Sequence, residues 1–169
     1  MMKHGFIRRF RRNERGAAAI EFAMLSLFFF SVVIVALDFA VYVQQNLRLG
    51  QAVEQGAILA FNTRNAPVPA DIANFVRATA GLTTTPTVTC NNATCQGISD
   101  RTDTSYRCID ATSGLILTTT YKNGATCASG GNAGYYLRIV ATRPYAAVVV
   151  PNKWLGGTTM TQTVVVRLQ

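Results

Sequence analysis

The residues best equipped for chemistry in this sequence are four cysteines and one glutamate in an unusual place. Cys90, Cys95, Cys108 and Cys127 make up the whole cysteine complement. An even number of thiols in an oxidising compartment reads as two disulfides. A four-cysteine zinc site is the rival reading. The gaps of four, twelve and eighteen residues are loose for zinc and contain no CxxC, which favours disulfides. Three pairings exist; Cys90–Cys95 with Cys108–Cys127 is preferred because both are local closures.

Glu21 follows the small residues Ala17, Ala18 and Ala19 and precedes Phe22–Leu37, a stretch with no charge and only Ser26 and Ser31 as weakly polar members. A carboxylate at the edge of a lipid-buried helix costs a few kcal/mol unless it is paired. It can reach back to Arg15 or to water at the near surface. A sharper possibility lies in the preceding residue, Gly16. A cut after Gly16 would give Ala17 a free α-amine and make Glu21 the fifth residue of the mature chain. The ammonium and the carboxylate would then stand about one helical turn apart, or face each other between adjacent subunits, as a neutral pair. The same cut would remove Lys3, Arg8, Arg9, Arg11, Arg12 and Arg15 along with Glu14, a net charge of +5. What remains is a helix that can be drawn out of a bilayer. The second acid of the run, Asp38, lies near its far end and reads as an interfacial residue reaching the headgroups.

Other chemistry is scarce. His4 is the only histidine and would leave with the basic head, so a mature chain has no Ser–His, Cys–His or histidine–metal site. Asp100, Asp103 and Asp110 lack the alternate-position acids and closing Glu of a calcium loop. No glycine-rich phosphate cradle follows a strand. The basic residues beyond Gln44 are scattered rather than interleaved with aromatics, so only nonspecific attraction to anionic surfaces follows. The sequence therefore implies no enzyme, no cofactor, no metal, no specific nucleic acid and no small-molecule substrate.

The element that must position Glu21 is the apolar run Ala17–Val43. As a helix its 27 residues reach roughly 40 Å, enough to cross a hydrocarbon core of about 30 Å. A cleaved secretory signal would have a shorter apolar region and small residues at its end, and Asp38 fits poorly beside Ala40. The dense positive charge before the run keeps residues 1–16 in the cytoplasm and sends the remainder across. Beyond the run, Gln44–Phe61 keeps a helical pattern, with Leu49, Val53, Ala57 and Phe61 at steps of four and Gly50 and Gly56 weakening it. The expected divisions are a basic leader at 1–16, a transmembrane helix at 17–43, an amphipathic extension at 44–64 and an exported domain at 65–169.

The segment RRNERGAAAIEFAMLSLFFFSVVIVALDFAVYVQQNLRLGQAVEQGAILA resembles the TadE/TadG-like pseudopilins, minor pilins of the tight-adherence (Flp-type IVb) pilus. Gly16, Ala17, Glu21 and Phe22 match the family's opening residue by residue, and Asp38–Phe39 matches its acid–aromatic pair. The likeness covers the first fifty residues well and the last thirty-five loosely; Pro67 to Gly134 has no match. It implies a pilin-like fold. It also implies removal of the leader by a prepilin peptidase at Gly16–Ala17 and a role for Glu21 in assembly. The implied partners are the inner membrane, that peptidase, other pilins and the pilus-assembly machinery. The implied location is the bacterial inner membrane, single-pass, with a cytoplasmic N-terminus, a periplasmic C-terminal domain and passage into an extracellular pilus. The alternatives are a permanently anchored periplasmic binding or sensing domain, or a pseudopilin of a related secretion system.

Past the break at Asn65–Pro69, a short helix is expected at Asp71–Thr79, with Asp71 as N-cap, Ile72, Phe75 and Val76 on one face, and Gly81 ending it. Strands are expected at Thr87–Cys90, Ser105–Ile109, Leu115–Tyr121, Tyr135–Thr142 and Thr158–Leu168, the last two pairing antiparallel. Trp154 reads as a core plug or a membrane-facing loop residue. The fold class is α+β: a long N-terminal transmembrane and amphipathic helix leaning on a small antiparallel sheet, with disulfides.

Overall fold

The structure is a computed structural model that describes residues 14–95, 105–155 and 159–169. His4, Asp100 and Asp103, most of the basic leader and the first residue of the last expected strand lie outside these residues.

One helix, α1 (Glu14–Asn62), dominates the molecule. It is the only described helix long and apolar enough to cross a membrane. Its two halves obey different rules. Along Ile20–Leu37 no protein covers the apolar side chains, and Leu27 is 75% exposed. Such a bare surface fits an anchor covered by lipid or by the helices of partner chains. The second half is amphipathic in place: Leu49, Ala52, Val53 and Ala60 are buried. Phe61 departs from the expected stripe, since it is 47% exposed and carries Arg64 over its ring at 5.0 Å. The reason is geometric. At 3.6 residues per turn each step of four overshoots by about 40°, so three steps from Leu49 turn Phe61 about 120° away. The buried face follows Leu49, Ala52, Val53, Gly56 and Ala60 instead.

Gly56 marks the closest approach of α1 to the rest. A Cβ there would run into Val76 Cγ2 and come within 3.3 Å of Ile139 Cδ1. The β-branched Val76 has little rotamer freedom in a helix and cannot step aside. Gly56→Ala is expected to lower stability. Overpacking of this kind costs about 1–3 kcal/mol, more than the gain of at most about 1 kcal/mol in helix propensity. Thermal unfolding in detergent, with Gly50→Ala as the uncrowded control, measures it; the Cβ of that control meets only Gln162 at 4.0 Å.

The helix α2 (Pro69–Ala80) packs Ile72, Ala73, Val76 and Ala80 inward. Asp71 is not its N-cap. Val68 holds that position, without a side-chain cap, because Pro69 sets the first helical φ and starts the helix earlier. Asp71 falls in the first turn, where its charge suits the helix dipole. Phe75 lies off the buried face, 40% exposed. Gly81 ends the helix in the left-handed conformation at φ 62°.

Three antiparallel strands follow, β1 (Thr87–Cys90), β2 (Tyr136–Pro144) and β3 (Thr159–Arg167), in the order β1-β2-β3. β2 is central, paired Thr89↔Arg138 on one side and Ile139↔Val164 on the other. Its alternation buries Leu137, Ile139 and Ala141 completely against the helices. Gln162 Nε2 donates to Asn46 Oδ1 at 2.9 Å and ties β3 to α1.

The expected strands at Ser105–Ile109 and Leu115–Tyr121 do not form. These segments make only isolated bridges, Tyr106↔Tyr121, Arg107↔Gly134 and Ile109↔Ile116. Asn91 helps to anchor them. Its backbone takes positive φ, and its side chain donates to the Ser105 carbonyl and accepts from Tyr136 N–H. Disulfides Cys90–Cys95 and Cys108–Cys127, both local closures, substitute for a ladder, with Cα–Cα distances of 4.9 and 5.7 Å. Removing Cys108–Cys127 by double Ser substitution should cost about 3 kcal/mol, since it closes the longer loop. Removing Cys90–Cys95 should cost about 1 kcal/mol less by the same loop-entropy scaling. Urea unfolding of the two double variants checks the order.

Candidate functional site

Gly16 and Ala17 lie in the first turn of the described α1, both exposed, and a Cβ on Gly16 would meet nothing within 4 Å. Glycine is a poor helix former, so unwinding here costs less than anywhere in the apolar run that follows. Glu21 is exposed four residues on, one turn along the face of Ala17. Among the described residues nothing from the folded domain reaches it. Phe22, 72% exposed, belongs to the same bare surface. These four residues are brought together by the helix alone. The four cysteines sit far along the chain in the sheet domain and serve its fold.

Sequence reasoning missed a second constellation. Asp38 is 7% exposed and is clasped by the segment between β2 and β3. Tyr145 Oη donates to Asp38 Oδ1 at 2.7 Å and lies 2.9 Å from the Asp38 carbonyl oxygen. The backbone N–H groups of Val148, Val149 and Val150 donate to Oδ2 at 3.1, 3.1 and 3.0 Å. Successive N–H groups converging on one carboxylate form an anion nest, with the negative charge spread over several donors. Tyr145 also packs edge-on against Tyr42, with ring centroids 5.3 Å apart, and Tyr42 lies 6.4 Å from Phe39. The expected interfacial acid has protein partners that the sequence did not name: it is a structural clamp between α1 and the β2–β3 connection. Its partners stand 107 to 112 residues away, and only the Asp–Phe pair at the end of an apolar helix hinted at a role.

Residues 16–57 match the family of TadE-like proteins. This segment, about a quarter of the chain, is TadE-like. The match contains Gly16, Ala17, Glu21, Phe22 and Asp38, and it runs from the bare half of α1 through Gly56. It is consistent with a TadE/TadG-like protein of the tight-adherence pilus system. No curated protein and no solved structure matches the chain. The resemblance read into the last thirty-five residues lies outside the matched segment.

Among the described residues, the rest of the chain offers little reactive chemistry. Among the described residues no three His, Cys, Asp or Glu side chains gather as a metal site. Asp110 accepts N–H bonds from Ser113 and Thr112, which hold its carboxyl below the usual range and close a tight turn. Trp154 is 81% exposed, which rules out a core plug.

Proposed function

We propose that this TadE-like chain is a minor pilin or pseudopilin that takes part in assembling a tight-adherence type IVb pilus. In this reading a prepilin peptidase cuts after Gly16, and the new Ala17 ammonium pairs with Glu21 within one chain or between neighbours. The sheet domain lies on the exported side and the leader in the cytoplasm. One observation carries the proposal: an exposed acid stands one turn from an exposed Gly–Ala junction, on a lipid-length helix that its own domain leaves bare. A helix built only as an anchor gains nothing from a charge there.

N-terminal sequencing of protein extracted from its native envelope tests the processing step. The chain should begin at Ala17 when the peptidase is present and should keep its arginine-rich head when the peptidase gene is deleted. An intact head in both strains would leave a permanently anchored domain as the better reading.

A further inference from the structure

The clamp on Asp38 has a counterpart in depth. From Ala17 to Asp38 the helix rises about 32 Å, close to the thickness of a hydrocarbon core. Asp38 therefore stands where lipid tails give way to headgroups on the domain side. The segment it holds is unlike the rest of the domain surface. Val148 is 87% exposed, Val149 51% and Trp154 81%, all within seven residues, with Lys153 exposed beside the Trp. Trp154 rides on a short 3-10 helix at Asn152–Leu155. Facing water, such a cluster would be an apolar patch without a purpose. A half-apolar indole with a neighbouring cation is instead the composition favoured at a bilayer interface, where the ring sits among the headgroups and the lysine reaches anionic phosphate. The surface is also continuous with the anchor. Ile34, Leu37 and Val41 of α1 and Val148 of the segment line one open groove of about 450 Å³. The apolar face of the helix thus runs onto the loop.

We propose that Tyr145–Leu155 is a membrane foot: a loop pinned to Asp38 that rests in the headgroup region of the domain-side leaflet and fixes the height and tilt of the domain. The inference rests on α1 being the bilayer anchor of the proposed function. The occupant is lipid rather than a second copy of the chain because the patch lies at the computed exit depth and carries the cation suited to anionic headgroups.

Trp154 is the only tryptophan, so its fluorescence reports on the foot directly. The full chain is reconstituted into phosphatidylcholine–phosphatidylglycerol vesicles, whose acyl chains carry bromine either near the carbonyl or near the methyl end. Flotation after carbonate washing reads the anchor independently. The expected result is flotation, at least about twofold quenching by the shallow bromines, weaker quenching by the deep ones, and poor access for acrylamide. A chain that floats while acrylamide reaches Trp154 freely and neither bromine quenches it overturns the foot and leaves the anchor standing. Trp154 shielded from both bromine and acrylamide would assign the patch to a protein partner and also overturn the proposal. A chain that fails to float removes the anchor and the foot together.

Discussion

Glu21→Ala is expected to insert into the membrane as well as the parent chain and to yield no assembled filament. Insertion is safe because the substitution removes the only acid from the first two-thirds of the apolar run, and an acid opposes insertion, by about 2.5–3.5 kcal/mol at a helix centre and by less at the edge where Glu21 stands. Assembly fails for the opposite reason. Once the leader is gone the Ala17 ammonium remains, and it has lost the carboxylate that made it tolerable in an apolar setting. Breaking such a pair costs about 3–5 kcal/mol, a hundredfold or more in the equilibrium for subunit incorporation. Glu21→Gln separates charge from hydrogen bonding, since the amide keeps an acceptor and loses the charge. It should fail nearly as badly. Filament counts by electron microscopy, set against the amount of chain in the membrane fraction, give both readouts. Normal piliation in Glu21→Ala would remove the assembly role while leaving the fold untouched.

Asp38→Ala should release the β2–β3 connection from α1. The N–H groups of Val148, Val149 and Val150 lose their shared acceptor at once, and Tyr145 Oη keeps only the Asp38 carbonyl. Hydrogen exchange at those amides should accelerate by an order of magnitude or more, because on a half-exposed loop the bonds to Asp38 are what slows their opening to water. Asp38→Asn should do little better. It retains a single acceptor oxygen and turns an NH₂ toward groups that themselves donate. Tyr145→Phe is the milder comparison, since it leaves the three backbone donors in place. Exchange in β2 should stay slow in every variant, because Leu137 and Ile139 are buried against the helices and do not depend on the clamp. Equal acceleration across β2 would mean that Asp38 supports the whole domain rather than one loop.

Much of this architecture was legible because it depends on local pattern. The apolar run and its polar continuation define α1, Thr87–Cys90 has the bounds expected, and β2 with β3 announce themselves through alternating Val, Ile and Thr. The two short disulfide loops were the preferred pairing on simple closure grounds. What escaped depends on contacts distant in sequence. Gly56 read as a weak point in a helix until Val76 and Ile139 were found where its Cβ would go. Asp38 read only as an interfacial acid because nothing in its neighbourhood names Tyr145 or the Val148–Val150 backbone. Ser105–Ile109 and Leu115–Tyr121 have strand composition, yet a disulfide and isolated bridges replace the ladder they would need. Phe61 falls outside the buried face because steps of four drift by about 40° each, and Phe75 does so because the buried arc through Ile72, Ala73, Val76 and Ala80 lies on the other side of Ile72.

The unbroken course of α1 from its bare apolar half to the sheet gives the molecule a mechanical property. An uninterrupted helix is a stiff strut, so tension applied to the lipid-exposed end is delivered undiminished to the far end. Along the way the strut meets its first sideways attachment at Asp38, well before Leu49 and Gly56. A pull along the axis would therefore load the carboxylate and its ring of donors in shear, in parallel with the broader apolar contact around Leu49 and Gly56. The earliest part to yield would be the β2–β3 connection, with the three strands and both sulfur bridges riding along intact.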